Sequence, residues 1–176
     1  MGLRNLKVLL LVMINLDEFK NIFLDRDGIV NQVIEREGVI SSPRVIEEFF
    51  LREDFLDFTK KISNEKDIFL VTNQPDISRK LLDIEILKEM HSKIISFIKL
   101  KEIAVCPHDD NHNCDCRKPK PGMINKLIEK YNLSRSESIF IGDSIKDLVA
   151  AERANVEFIL LRTKYNQEVT SKFSVN

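Results

Sequence analysis

Two aspartates, Asp25 and Asp27, stand two residues apart at the end of an apolar run in the segment IFLDRDGIVN, and Gly28 follows at once. An apolar run that ends in acids and a glycine reads as a strand delivering two carboxylates to its exit, where the chain turns away. Such a pair divides labour: one carboxylate attacks phosphorus and helps hold a metal, while the other moves a proton. The same string also occurs in solvated turns and at the start of calcium loops. A calcium loop would continue with ligands at alternating positions, and here those positions hold Ile29 and Asn31, so the calcium-loop reading fails.

Three further groups follow in chain order. Thr72, Asn73 and Gln74 come after DIFLV, Arg117 and Lys118 come after a cysteine-rich loop, and Gly142 with Asp143 comes after SIFI, with Asp147 four residues on. Taken singly, each has a plain reading: a turn, an exposed basic pair, a helix cap. Their joint appearance, each just beyond an expected strand or its loop, points instead to phosphoryl transfer. Magnesium takes hard oxygens and needs only one or two side-chain carboxylates, for which Asp25 and Asp143 are the natural pair, with the Asp27 backbone carbonyl beside them. Thr72 and the amide of Asn73 are placed to donate to phosphate oxygens. Lys118 brings positive charge to where the transition state gathers negative charge.

The elements that must carry these residues alternate. Strands are expected at Ile22–Leu24, Asp67–Val71, Glu102–Val105, Ser138–Ile141 and Glu157–Leu161, as short continuous apolar runs suited to burial on both faces. Helical periodicity fills about 47–61 and 78–97, Pro121 opens a third helix, and Ser144 or Asp143 caps a fourth. Alternation of this kind implies an α/β fold, a Rossmann-like three-layer sandwich with a central parallel sheet, whose working site lies beyond the carboxyl ends of the strands.

All three cysteines fall between Cys106 and Cys116, in CPHDDNHNCDCRKPKPG. Cys106, His108, Cys114 and Cys116 form two close pairs across a short polar loop, the pattern of a closed, structural zinc site in a reducing compartment. His112 is a substitute ligand in principle, but its mid-loop place favours solvent. His91 falls within an expected helix as a surface or boundary residue, and Asp109, Asp110 and Asp115 read as solvated loop acids. Arg117 and Lys118 follow Cys116 directly, so a zinc ion there would fix their backbone and aim both at a phosphate.

At 176 residues, with 43% hydrophobic and 31% charged residues, the chain has the size and composition of one soluble globular domain. A net charge of -1, from 27 basic and 28 acidic residues, offers no broad attraction to nucleic acid. No apolar run is long enough for a membrane-spanning helix. Arg4, Lys7 and the run Val8–Ile14 resemble the start of a secretory signal, but Asn15, Leu16, Asp17 and Glu18 follow in place of a small-residue cleavage site. Residues 1–20 are therefore expected to be an extension, with Met13 as an alternative natural start, and residues 21–176 a single catalytic domain. A cytoplasmic monomer without nucleic-acid or membrane partners is expected.

DRDG at Asp25, TN at Thr72, RKP at Arg117 and GDSIKD at Gly142 resemble, in order, the four motifs of the haloacid dehalogenase superfamily of phosphatases. The resemblance runs from about residue 21 to 161. It implies that superfamily's fold, with Asp25 as nucleophile, Asp27 as general acid and then base, Lys118 as phosphate stabiliser, and magnesium at Asp25, the Asp27 carbonyl and Asp143. Arg26, Thr72, Asn73, Gln74, Arg117 and Lys118 are the expected substrate contacts. The cysteine loop narrows the resemblance to the zinc-loop branch, subfamily IIIA, which includes heptose 1,7-bisphosphate phosphatases and histidinol-phosphate phosphatases and lacks a large cap domain. RKPKPGM and TNQPDISR look more like the heptose group, while the short spacing between His108 and Cys114 looks more like the histidinol group. Two positions depart from the heptose pattern: Ser144 where lysine is common, and Lys80 where glycine is usual. With no lid, choice of a small soluble phosphate ester falls to a flap at Asn31–Pro43 and to the zinc loop.

Overall fold

In a computed structural model, which describes residues 7–9, 15–62 and 65–167, the five expected strands lie in one six-stranded sheet. In chain order the elements are β1 (Lys7–Leu9), β2 (Asn21–Leu24), β3 (Ile34–Arg36), β4 (Val39–Ser41), α1 (Glu53–Lys61), β5 (Asp67–Asn73), α2 (Ile84–Ile95), β6 (Glu102–Cys106), α3 (Gly122–Tyr131), β7 (Ser138–Gly142), α4 (Ile145–Ala154) and β8 (Glu157–Leu161). The sheet order is β1-β8-β7-β2-β5-β6, and every pairing in it is parallel.

Alternation along each central strand explains why the runs are apolar throughout. Ile22 and Leu24 of β2, with Ile68 and Leu70 of β5, pack into a core with Phe55 and Phe58 of α1 and Leu87, Met90 and Ile94 of α2. Phe23, Phe69 and Val71 point the other way, into a core with Met123, Ile124, Leu127 and Ile128 of α3 and Leu148, Ala150, Ala151 and Ala154 of α4. Side chains alternate across a sheet, so covering both faces makes every position apolar. This is the expected three-layer sandwich.

The strands run slightly past their expected ends toward the site. Thr72 and Asn73 pair with Val105 and Cys106, which carries both site residues into β5. The first expected helix begins later, at Glu53, because the backbone before it is committed elsewhere: Gln32 N donates to Phe50 O at 2.8 Å, and Arg52 N donates to Val30 O at 3.0 Å. The second begins at Ile84 and not near residue 78. Asp76 O accepts from Leu81 N and Leu82 N in a turn, Lys80 sits at φ 60°, and the Asp83 side chain caps the helix by accepting from Glu85 N at 2.7 Å. Its orientation corrects the expectation for His91, which is 9% exposed and faces the core beside Met90 and Ile94.

Between β2 and α1, the flap is a hairpin of β3 and β4 turning through Glu37 and Gly38, both at positive φ. Nothing larger separates the motifs among the described residues, so no cap domain covers the site. Lys7–Leu9, expected to lie outside the domain, is an edge strand on β8. The expectations for residues 1–6 and 10–14, Met13 as a start among them, lie outside the described residues.

Candidate active site and zinc loop

The carboxyl ends of β2, β5 and β7 bring together residues that lie far apart in the chain. Lys118 Nζ donates to Asp25 Oδ1 at 2.7 Å across 93 residues, to Val71 O at 2.9 Å, and pairs with Asp147 Oδ1 at 2.6 Å. The lysine is 3% exposed and stands over the Phe140 ring at 5.3 Å. An ammonium this deep persists only with counter-charges. Burial works to lower its pKa, but Asp147 and Asp25 outweigh it and hold Lys118 firmly charged.

Asn73 fixes the backbone of the same lysine. Its Nδ2 donates to Lys118 O at 3.0 Å, and Lys118 N donates to its Oδ1 at 3.0 Å. Its side chain, expected on the substrate, is thus committed to positioning Lys118. Thr72 is buried beside it, and its Oγ1 accepts from Gln74 Nε2 at 2.8 Å, which leaves the hydroxyl proton free of that bond.

Asp27 is surrounded by donors. Arg26 Nε and Nη2, Asn31 Nδ2, Ser42 Oγ and Gln74 Nε2 all reach its two carboxylate oxygens at 2.8 to 3.1 Å. Burial alone would raise its pKa; the Arg26 guanidinium, with Asn31 and Gln74, wins and holds it below the ordinary range. Two expected substrate contacts are corrected here. Arg26 and Gln74 are wholly buried, and both serve to orient Asp27, so neither presents a surface to a ligand. Arg117, also expected on the substrate, lies away from the acid cluster, where its Nε donates to Asp110 Oδ1 at 2.6 Å and its Nη1 to His108 O at 3.2 Å.

Asp25, Asp143 and Asp147 bring one carboxylate oxygen each to within 4.8 Å of one another. Asp147 is committed to Lys118 and to Ser144, whose N and Oγ donate to its Oδ2 at 3.1 and 2.6 Å in the cap of α4. Asp25 and Asp143 are left as the pair that could hold a divalent cation. Burial pushes Asp25 well above the ordinary carboxylate range, with Lys118 opposing and Asp147 and Asp143 reinforcing. Burial, then Asp147, brings Asp143 to about 7. Two buried acids held so near, each disfavouring the other's charge, form a donor set that a hard divalent ion completes. Asp143 is also gripped from beyond β8: Tyr165 Oη donates to its Oδ2 at 2.6 Å, and Asn166 Nδ2 donates to its main-chain carbonyl at 2.8 Å.

In the loop after β6, the four expected zinc ligands form a cage. Cys106 Sγ lies 3.7 Å from Cys114 Sγ and 3.3 Å from Cys116 Sγ, and the latter two are 3.3 Å apart. His108 Nδ1 lies 3.7 Å from Cys106 Sγ and 3.3 Å from Cys116 Sγ. A tetrahedral zinc with Zn–S near 2.3 Å requires ligand separations of about 3.8 Å between sulfurs and about 3.6 Å from sulfur to nitrogen. The cage is close to that size, so these residues fit zinc. Burial, with Cys116, pushes the Cys106 thiol up to about 12, so a cation is what would make it a thiolate. His112 stays exposed, its Nδ1 accepting from Asp109 N at 3.2 Å. Asp109 and Asp110 are not simply solvated: they pair with Arg79 and Arg117, while the Asp115 side chain is fully exposed and meets Lys120 at 3.6 Å.

Several residues of the site escaped the sequence reading. Asn31 and Ser42 on Asp27, and Tyr165 with Asn166 on Asp143, had no motif to mark them, while Asp147 stood in GDSIKD without being read as the partner of Lys118. The rule that strand ends carry the chemistry, extended to β8, would have led to Tyr165 and Asn166.

Comparison with known proteins agrees with this geometry. Residues 100–161, from β6 to β8, match the family described as haloacid dehalogenase-like hydrolase. The D-glycero-beta-D-manno-heptose-1,7-bisphosphate 7-phosphatase of Neisseria meningitidis is 34% identical over 159 residues, 87% of this chain and 82% of the relative. The D-glycero-alpha-D-manno-heptose-1,7-bisphosphate 7-phosphatase of Campylobacter jejuni is 33% identical, over 85% of this chain and 86% of the relative. The crystal structure of the D,D-heptose 1,7-bisphosphate phosphatase of B. bronchiseptica, complexed with magnesium and phosphate, superposes with a TM-score of 0.77 at 27% identity, covering 90% of this chain and 89% of that one. Among the described residues, no helix is long and apolar enough to cross a membrane. With acids, hydroxyl and buried lysine meeting at one sheet edge, and with relatives this similar along most of their length, the chain belongs to the haloacid dehalogenase-like hydrolases.

Proposed function

We propose that the chain is a magnesium-dependent phosphatase acting on D-glycero-D-manno-heptose 1,7-bisphosphate, from which it removes the 7-phosphate through an aspartyl-phosphate on Asp25. The observation that carries the chemistry is Lys118 Nζ, held 2.7 Å from Asp25 and 2.6 Å from Asp147 at the carboxyl edge of the sheet. The similarity to heptose bisphosphatases along four-fifths of their length or more supports the substrate.

Asp25 attacks the phosphorus, and the bond to the sugar oxygen breaks as that oxygen takes a proton from Asp27. In the second half, Asp27 takes a proton from a water that attacks the phosphorus, which releases phosphate and restores Asp25. The donors around Asp27 favour its charged form, which suits the second half. A phosphate dianion beside it pushes the other way and suits the first. Lys118 and Thr72 hold the phosphoryl oxygens, with the main-chain amide of Asn73. The Asp25 and Asp143 side chains with the Asp27 carbonyl would hold magnesium, which supplies charge neutralisation between the incoming phosphate and Asp25. Arg117 becomes a substrate contact by exchanging Asp110 for an anionic group of the ligand.

Zinc at Cys106, His108, Cys114 and Cys116 orders the loop that leads into Lys118. A cytoplasmic monomer, in whose reducing surroundings the three free cysteines stay available to zinc, completes the reading, with residues 21–176 carrying the catalytic and zinc-binding groups. The deciding experiment measures phosphate release with magnesium from heptose 1,7-bisphosphate, histidinol phosphate and a panel of sugar phosphates, for wild type and Asp25→Asn. Turnover of the heptose bisphosphate above the others, abolished in Asp25→Asn, is expected. Turnover of no ester overturns the activity, and turnover of histidinol phosphate alone overturns the substrate.

A further inference from the structure

We propose that Tyr165 positions Asp143 for the divalent cation, which makes the turn after β8 part of the metal site. The inference rests on the reading of Asp25 and Asp143 as cation ligands. A carboxylate that binds a cation through one oxygen stays free to rotate unless its other oxygen is held, and partners of that kind tune affinity. Tyr165 Oη supplies the hold, donating to Asp143 Oδ2 at 2.6 Å. A phenol is neutral, so it fixes the carboxylate without cancelling the charge a cation needs.

The turn is built to keep the phenol there. Asn166 Nδ2 donates to Asp143 O and to Leu161 O, both at 2.8 Å, and Thr163 N donates to Asn166 Oδ1 at 2.8 Å. One short segment therefore holds residue 143 by main chain and side chain together. The opposite wall is Gly28, at φ +90°, where an added Cβ would come within 2.0 Å of both Asp143 Oδ2 and Tyr165 Oη. Arg52 Nη1 donates to Gly28 O at 2.7 Å and braces that wall from behind. The hydroxyl and carboxylate are thus pressed against the turn that carries Asp25 and Asp27, and glycine at position 28 makes the room. Tyr165 touches neither Asp25 nor Lys118 in any hydrogen bond described above, so its effect passes through Asp143.

Tyr165→Phe keeps the ring and removes the donor. Magnesium affinity is measured by calorimetry, and manganese affinity by electron paramagnetic resonance, on zinc-loaded wild type and variant. The dissociation constant is expected to rise about tenfold, the lower end for loss of such a partner, and the magnesium concentration giving half-maximal phosphate release to move by the same factor. Melting temperatures taken without magnesium separate this from lost packing: a lowered melting temperature with unchanged cation affinity overturns the proposal. Equal affinities overturn it alone. A wild type that binds neither cation overturns both it and the magnesium reading.

Discussion

Asp147→Asn is the sharpest test of how the site works, because the two side chains have one shape and differ in charge. Asp147 is 1% exposed, with one oxygen 2.6 Å from Lys118 Nζ and the other accepting from the amide and hydroxyl of Ser144. Asparagine has a single acceptor oxygen. Turned toward Ser144, it faces its NH2 to the ammonium; turned toward Lys118, it sets NH2 against the Ser144 N–H. Either way a buried donor meets a donor, at a cost of about 1–3 kcal/mol. Breaking one partner out of a buried ion pair costs about 3–5 kcal/mol. Here Lys118 keeps Asp25 and the Val71 carbonyl, and Asp25 and Asp143 lose a repulsive neighbour, so the lower end applies. Folding stability should fall by about 3 kcal/mol.

The effect on catalysis has a separate cause. With Asp147 present the ammonium is shared between two carboxylates. Without it the ammonium belongs to Asp25, which must loosen that grip to attack phosphorus. If the pair with Asp25 tightens by about 1.4–2.8 kcal/mol, kcat falls by about 10- to 100-fold. KM should change by less than about threefold, since Asp147 meets the substrate only through Lys118. Phosphate release at saturating magnesium, with urea unfolding in parallel, measures both effects. A folded Asp147→Asn whose kcat is within about twofold of wild type would show that the charge of Asp147 does not govern Lys118.

Two further outcomes follow from other parts of the fold. Cys114→Ser should lose its zinc by metal analysis and lower kcat by about tenfold, and not more, because the Asn73 clamp still holds Lys118; unchanged zinc content and activity would refute the link between loop and lysine. His91 is neutral in the fold, since burial and then Arg26 lower its pKa to about 4 from 6.5. A base depressed this way leaves the unfolded chain binding more protons between those values, so stability is full above about 6.5 and drains as pH falls toward 4, by about 2 kcal/mol at pH 5. His91→Met should flatten that part of the curve in urea unfolding at pH 7 and pH 5, and an equal pH dependence in wild type and variant would count against it.

What was legible in the chain follows from which forces act locally. The five central strands announced themselves because both faces are covered, which leaves no polar position to break the apolar run. β1 was hidden: Lys7–Leu9 is an edge strand inside a run whose basic flank imitates an exported leader. The flap was legible as a segment but its hairpin was not, because the turn places Glu37 at φ 51°, where the sequence cue would be Asn or Gly. In the site, residue types that do chemistry were readable from their motifs, while the residues that orient them were not. Ser42 reaches Asp27 across 15 residues, Asn73 reaches Lys118 across 45, and Tyr165 reaches Asp143 across 22. Those separations are set by the layer order of the sheet, which no local pattern encodes.

That division also explains the two corrected substrate contacts. Arg26 and Gln74 sit beside the reacting residues in sequence, and proximity in sequence suggested contact with the ligand. A strand end offers alternate side chains to opposite faces, so the neighbour of a catalytic aspartate points into the core by construction. Arg26 makes use of this: it is buried, stacked 5.8 Å from the Phe49 ring, and returns its guanidinium to Asp27. Gln74 Nε2 ties the same carboxylate to Thr72, so the Asp27 carboxylate and the Thr72 hydroxyl share one buried amide. Asp25 is treated oppositely. It meets one lysine and two further acids, an environment that raises its proton affinity until a cation arrives. Two aspartates two residues apart thus acquire opposite shifts in proton affinity from the side chains around them: Arg26, Asn31 and Gln74 favour the charged form of Asp27, while burial and two neighbouring acids disfavour that of Asp25, which leaves Asp25 the one in need of a cation.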